Sequence, residues 1–198
     1  MFEFNFNTGN KPKSSKIYQK KMKFTNKHYK QAEYIDGLLK TKLPLKDEEY
    51  FFITQNKFNQ FAFTLAVLNK EPVQELYISS YNVKNDLLLV IEDLLTNGKI
   101  KYCKLVITYS IQARLPEVYK KCINLNKKLK NFDITLCDNH TKLSCIKTDE
   151  NYYVVSGSGN FTSTNKKMEQ YQFINSEELF NFYTSWFNDQ KTEEKYLK

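Results

Sequence analysis

The chain has 198 residues, 41% of them hydrophobic and 15% aromatic, which suits one packed domain and excludes a disordered chain. Its formal net charge is +8, and Arg114 is the only arginine, so nearly all the positive charge is lysine. That balance favours a polyanionic partner, and lysine, a point charge, suits phosphate backbones better than base readout. No stretch reaches the roughly 18 apolar residues that a membrane span needs. Residues Met1 to Asn10 lack the apolar run of a secretory signal, so a cytoplasmic protein with no stable membrane association is expected. The cysteines at 103, 122, 137 and 145 form no C-x-x-C pair, and the two histidines, His28 and His140, are far apart in sequence. No zinc site is expected from that spacing, and free thiols fit a reducing compartment.

In chain order, residues 1–45 read as a basic extension, lysine-rich between Lys11 and Lys30, either an arm or a short strand plus a loop. Tyr34 to Leu39 suits a helical turn. The main domain is expected over 46–198. Tyr50 to Thr54 reads as a strand, and Phe58 to Leu68, apolar nearly all round, as a buried helix. Val73 to Tyr81 follows Pro72 as a strand. Asp86 to Leu95 is an amphipathic helix stopped by Asn97-Gly98. Cys103 to Tyr109 is rich in β-branched residues and predicts a buried strand. Pro116 to Leu129 predicts a helix with Pro in its first turn and lysines in its last. Phe132 to Cys137 predicts a strand. Leu143 to Lys147 and Tyr152 to Ser156 flank the polar turn 148–151 and predict a hairpin. Ser176 caps a closing helix to Phe187, with Glu177 and Glu178 in its first turn. Regular alternation of strand and helix, with one hairpin, predicts an α/β sandwich with a mixed sheet flanked by helices.

The chemistry-bearing residues gather between Asp138 and Gln170. His140-Thr141-Lys142 enters the hairpin, and Gly157-Ser158-Gly159-Asn160 leaves it. With His140 and Lys142 two apart on a strand, their side chains share a face, continued by Ser144. At Gly157 the backbone can approach a ligand closely, because there is no Cβ. A nucleophile, a cation and small polar groups then converge on one spot, a composition suited to a phosphate.

The run H-T-K followed by G-S-G-N resembles the H-x-K…G-S-x-N signature of the phospholipase D superfamily. Two departures fall in the hairpin. The family's acidic position, five after the lysine, is Lys147 here, and the histidine-to-glycine gap is three residues longer than usual. A longer turn lets Asp149 or Glu150 stand in. The family's downstream glutamate has a counterpart in Glu169, nine residues after Asn160. Arg114, just after the strand at 103–109, could reach a phosphate, but a surface role is the leading expectation.

The resemblance implies a phosphodiesterase with no cofactor or metal. His140 would be the nucleophile that forms a phosphohistidine. Lys142 and Asn160 would bind the non-bridging oxygens, and Ser158 would add a hydrogen bond. Glu169 would hold the imidazole tautomer. One motif per chain supplies one histidine, whereas the leaving oxygen needs an acid. A homodimer with two facing His140 side chains is therefore implied. A low-specificity endonuclease acting on DNA or RNA is the leading expectation. The alternatives are a catalytically decayed nucleic-acid-binding module and a lipid-directed phospholipase D-type enzyme.

Overall fold

The computed structural model describes residues 26–31, 42–55, 59–161 and 168–192. The helical turn expected at Tyr34–Leu39 and most of the N-terminal arm lie outside the described residues. The described chain forms strands β1 (Asn26–Gln31) and β2 (Glu48–Gln55), helix α1 (Phe61–Leu68) and strand β3 (Val73–Ser80). There follow α2 (Asn85–Thr96), β4 (Ile100–Thr108), the short α3 (Ile111–Arg114) and α4 (Pro116–Lys128). The chain continues with β5 (Phe132–Cys137), β6 (Leu143–Lys147), β7 (Tyr152–Gly157), β8 (Met168–Asn175) and α5 (Glu177–Asp189).

All eight strands join one sheet in the order β1-β2-β8-β7-β6-β3-β4-β5. β3, β4 and β5 are mutually parallel, linked through α2 and α4 as the crossover helices that parallel pairing needs. β6, β7 and β8 run antiparallel to their neighbours. The sheet is therefore mixed and flanked by helices, as the sequence alternation implies. β1 lies at the edge, parallel to β2, with His28 opposite Tyr50.

The period-2 pattern of the strands builds two cores. On β3, Leu76 and Ile78 face the larger core while Tyr77 faces the other. On β4, Leu105 and Ile107 face one side and Val106 the other. On β7, Tyr153 and Val155 face one side and Val154 the other. The larger core is closed by α1, α2 and α4 through residues such as Phe63, Ile91 and Cys122. The smaller core is closed by α5 through Phe180 and Phe187. Ser176 caps α5, its hydroxyl accepting from the Leu179 amide at 3.3 Å. No cysteine is in a disulfide; burial pushes the Cys122 thiol up to about 12 and holds the Cys103 and Cys145 thiols well above the ordinary value, so these three are packing groups rather than nucleophiles. Among the described residues no helix is long and apolar enough to cross a membrane.

The hairpin turn lies at the far end of β6 and β7 from the histidine. Leu143 pairs with Ser156 and Lys147 with Tyr152, so four residues of strand, about 13 Å at the usual rise, separate Leu143 from the turn. Asp149 and Glu150 lie at that turn, next to Lys147: Asp149 accepts from the Gln74 amide at 2.9 Å, and Glu150 is exposed. Lys147 pairs with Glu75 across β3 and β6 at 2.9 Å.

This pair yields a pH-dependent prediction. Burial pushes the Glu75 carboxyl up, but hydrogen bonds from Lys147 and Tyr77 outweigh it and hold the pKa below its ordinary value. A lowered folded pKa contributes stability above the ordinary carboxylate range, and loses it as pH falls through the folded value. Glu75→Gln is expected to cost up to about 1 kcal/mol at neutral pH, since both side chains are about one third exposed. In urea unfolding the gap from wild type should close in acid. A gap that stayed constant from neutral to acidic pH would contradict the pairing.

Candidate active site

The residues singled out in the sequence gather at one end of the sheet. This end holds the carboxyl ends of β3, β4 and β7 and the start of β6 and β8. Ligand sites of open α/β sheets lie at the carboxyl ends of the parallel strands. His140, Thr141 and Lys142 are in the connection from β5 to β6 rather than on a strand. The reason is local: the buried side chain of Asn139 replaces strand pairing as the anchor of this segment. Its amide nitrogen donates to Ser79 Oγ at 2.9 Å and to the Ser80 and Val106 carbonyls at 3.2 Å each. Its oxygen accepts from the Thr141 amide at 3.0 Å and the Thr141 hydroxyl at 2.8 Å. Thr141 also contacts Ser79.

With the segment held from within, His140 projects into solvent and Lys142 folds back to it. Lys142 Nζ donates to the His140 carbonyl at 2.9 Å and stands 3.3 Å from His140 Nδ1. Partial burial lowers the Lys142 pKa, with Glu169's charge opposing the shift. A desolvated ammonium gains from an anionic ligand. Ser144, expected to continue this face, is buried within β6 instead.

The second half of the motif closes the other side. The Gly157 amide donates to the Lys142 carbonyl at 3.3 Å, and the Ser158 amide donates to the Gln170 carbonyl at 3.1 Å. The Ser158 hydroxyl donates to Glu169 Oε2 and accepts from the Gln170 amide at 3.1 Å. Glu169 is thus set against Ser158 and within electrostatic reach of Lys142. Asn160 Oδ1 is buried with no partner among the described residues. Phe161 forms a bridge to Val83, drawing the loop after β3 toward the motif.

The glycines serve the protein's own packing. A Cβ at Gly157 would meet the Gln170 carbonyl and the Tyr171 ring, each at 2.5 Å, and one at Gly159 would overlap the Tyr171 hydroxyl. The backbone approaches Tyr171 closely there.

The described residues contain no group of three His, Cys, Asp or Glu able to hold a metal ion. Beside Lys142 opens a cavity of about 480 Å³. Thr141, Lys142 and Ser156 line it on one side and Phe182, Tyr183 and Trp186 of α5 on the other.

No family model and no curated protein matches the sequence. Solved structures do. The polyphosphate kinase of Porphyromonas gingivalis superposes with a TM-score of 0.56 at 11% identity, over 74% of this chain. The likeness is one of fold, a mixed sheet flanked by helices. The phosphatidylserine synthase of Haemophilus influenzae Rd KW20 aligns at TM-score 0.48 and 14% identity over 70% of this chain. An archaeal chromatin protein with a novel mode of DNA binding aligns at 0.46 and 15% over 70%. This chain spans 26%, 37% and 51% of those three structures respectively.

Two residues at this end of the sheet escape a reading of the sequence. Asn139 looks like an ordinary turn residue before His140, and its burial depends on β3 and β4. Tyr81, beyond the end of β3, places its ring 4.9 Å from the His140 ring. Arg114, expected at the surface, is exposed but lies over Tyr81, its Cζ 4.4 Å from the ring centre.

The packing of the motif loop can be tested by coupling. Gly159→Ala should cost about 1–3 kcal/mol, the usual range for overpacking. In a Tyr171→Phe background, where the overlapping hydroxyl is gone, the loss should be smaller. Equal losses in the two backgrounds, measured by chemical denaturation, would show that Tyr171 does not set the glycine requirement.

Proposed function

We propose that the chain is a metal-independent phosphodiesterase, best read as a low-specificity endonuclease for DNA or RNA that works as a homodimer. The observation that carries this is the meeting of the two motif halves. An exposed imidazole, a partly desolvated ammonium, a hydroxyl–carboxylate pair and the Asn160 side-chain amide share one end of the sheet. Such a set suits a phosphate diester, which needs a nucleophile and cationic or N–H donors for its oxygens. The likeness of fold to a polyphosphate kinase agrees with phosphoryl-transfer chemistry. The lysine-dominated charge of +8 favours a polyanionic substrate over a neutral one.

The reaction would run in two displacements. Facing Lys142, Nδ1 is the acceptor, which puts the proton of neutral imidazole on Nε2. An arriving phosphate would draw the ammonium onto a non-bridging oxygen, and the tautomer with a free Nε2 could form. Nε2 attacks phosphorus, the P–O bond to the leaving nucleoside breaks, and His140 of the second chain protonates the departing oxygen. Now neutral, that second histidine removes a proton from water, which hydrolyses the phosphohistidine. Lys142 and the Asn160 amide would carry the charge on the equatorial oxygens. Glu169, through Ser158, would hold the loop that presents Asn160.

A second reading, lipid-directed phosphodiesterase action, draws on the aromatic wall of the cavity beside Lys142. Anionic phospholipid vesicles, assayed beside DNA and RNA, separate the two.

The test is nucleic acid cleavage in EDTA by wild type and His140→Ala. Wild-type cleavage should persist with chelator, and His140→Ala should lose several orders of magnitude, about 10⁴-fold or more, as when a covalent nucleophile is deleted. Binding by the variant should change little, while Lys142→Ala should weaken both binding and turnover. Activity that vanishes in EDTA and returns with magnesium would overturn the mechanism. If wild type and variant are equally inert while both bind, a decayed binding module replaces it. Sedimentation of a monomer at working concentration would remove the dimer.

A further inference from the structure

We infer that Arg114 and Tyr81 form a second phosphate-binding subsite, which holds the nucleic acid backbone beside the scissile diester. This rests on the nuclease reading and names what that site recognises next to the bond it cleaves.

Four observations carry it. First, Arg114 is the only arginine in a chain whose other basic residues are lysines, and it stands beside His140. Its Cζ is 4.4 Å from the Tyr81 ring centre, and that ring is 4.9 Å from the His140 ring. The guanidinium is thus no farther from the nucleophile than those two steps together, within reach of a neighbouring phosphate on the same strand. Second, its protein partners are neutral. Nε donates to Ser110 Oγ at 3.2 Å and Nη2 donates to Asn82 Oδ1 at 3.0 Å. None of the ion pairs among the described residues involves Arg114, so no described carboxylate offsets its charge. Guanidinium has five N–H donors, and three remain for a ligand. Third, the fork is pre-set: two hydrogen bonds and an aromatic face fix its plane, which lowers the ordering cost of bidentate phosphate contact. Fourth, the loop bearing Tyr81 and Asn82 is bridged to the motif loop through Val83 and Phe161. The subsite and Asn160 are therefore tied to each other through the backbone.

A merely structural Arg114 would tie Ser110 to Asn82 and nothing more. The substrate distinguishes the two roles. Bis(p-nitrophenyl) phosphate has one phosphate and cannot reach a second subsite, whereas a single-stranded oligonucleotide can. For Arg114→Gln, kcat/KM on a labelled oligonucleotide relative to the small diester should fall on the order of tenfold, as for the loss of a charged hydrogen bond. Arg114→Lys, which keeps the charge and loses the fork, should fall between. In a His140→Asn background, which stops turnover, Arg114→Gln should weaken oligonucleotide binding. The log–log salt slope should become shallower by about 0.7, the value for one phosphate contact on a single strand. Arg114 is exposed, so the variants should fold, and thermal unfolding would check it.

Equal losses on both substrates would overturn the subsite and leave Arg114 a support for Tyr81 and His140. Unchanged oligonucleotide affinity and salt slope would also overturn it. The parent reading fails separately: a wild type that cleaves the small diester yet neither binds nor cleaves DNA or RNA removes nucleic acid as the substrate, and this subsite with it. If no cleavage occurs but Arg114→Gln weakens binding with the shallower slope, the subsite stands and the enzyme reading falls.

Discussion

The buried amide of Asn139 is the interaction on which the site depends. It lies where β5 leaves the sheet and β6 has yet to enter it, a point at which backbone groups lack strand partners. By donating to Ser79 and to the carbonyls of Ser80 and Val106, it satisfies groups at the ends of β3 and β4. By accepting from Thr141, it turns the next residues outward. Leaving such acceptors unpaired in the interior costs about 1–3 kcal/mol each, so the anchor is strongly specified. One side chain thereby joins the parallel half of the sheet to the segment carrying His140 and Lys142.

From that anchor the rest of the site follows by packing. The two motif halves face each other because the β6–β7 hairpin sets Leu143 opposite Ser156. β8 then brings Glu169 to Ser158, and Tyr171 of the same strand fills the space that the two glycines leave open. The candidate site is therefore built on three adjacent antiparallel strands and one loop, with β3 and β4 supplying the support from the parallel side. Tyr81 and Arg114 extend the same end of the sheet from the loops after β3 and β4, the place where an open α/β sheet presents residues to a ligand.

Electrostatics and packing play different parts here. The lysine charge sets a general attraction for polyanions, which salt screens. Local geometry then separates one lysine from another. Lys142 is partly desolvated beside His140, whereas Lys147 is neutralised by Glu75. The two lysines are five residues apart, yet one faces the site and the other lies at the far end of the strand.

Much of this was legible in the sequence. Strong period-2 and helical patterns placed β2 to β7 and the helices α1, α2, α4 and α5 to within a few residues, because each pattern reflects which face is buried. The motif residues were legible because their types and order are unusual together. The mixed α/β architecture followed from the alternation of elements. What tertiary structure decided were the features that depend on long-range partners. β8, with its polar start Met168-Glu169-Gln170, is a strand because β2 and β7 hold it on both sides. His140 and Lys142 left the strand because Asn139 found its acceptors on β3 and β4. The glycines face Tyr171, the turn acids lie remote from His140, and Arg114 reaches Tyr81 across two separate loops. Sequence patterns report the burial of a segment against water; they do not carry the identity of the partner that a single polar side chain meets across the fold.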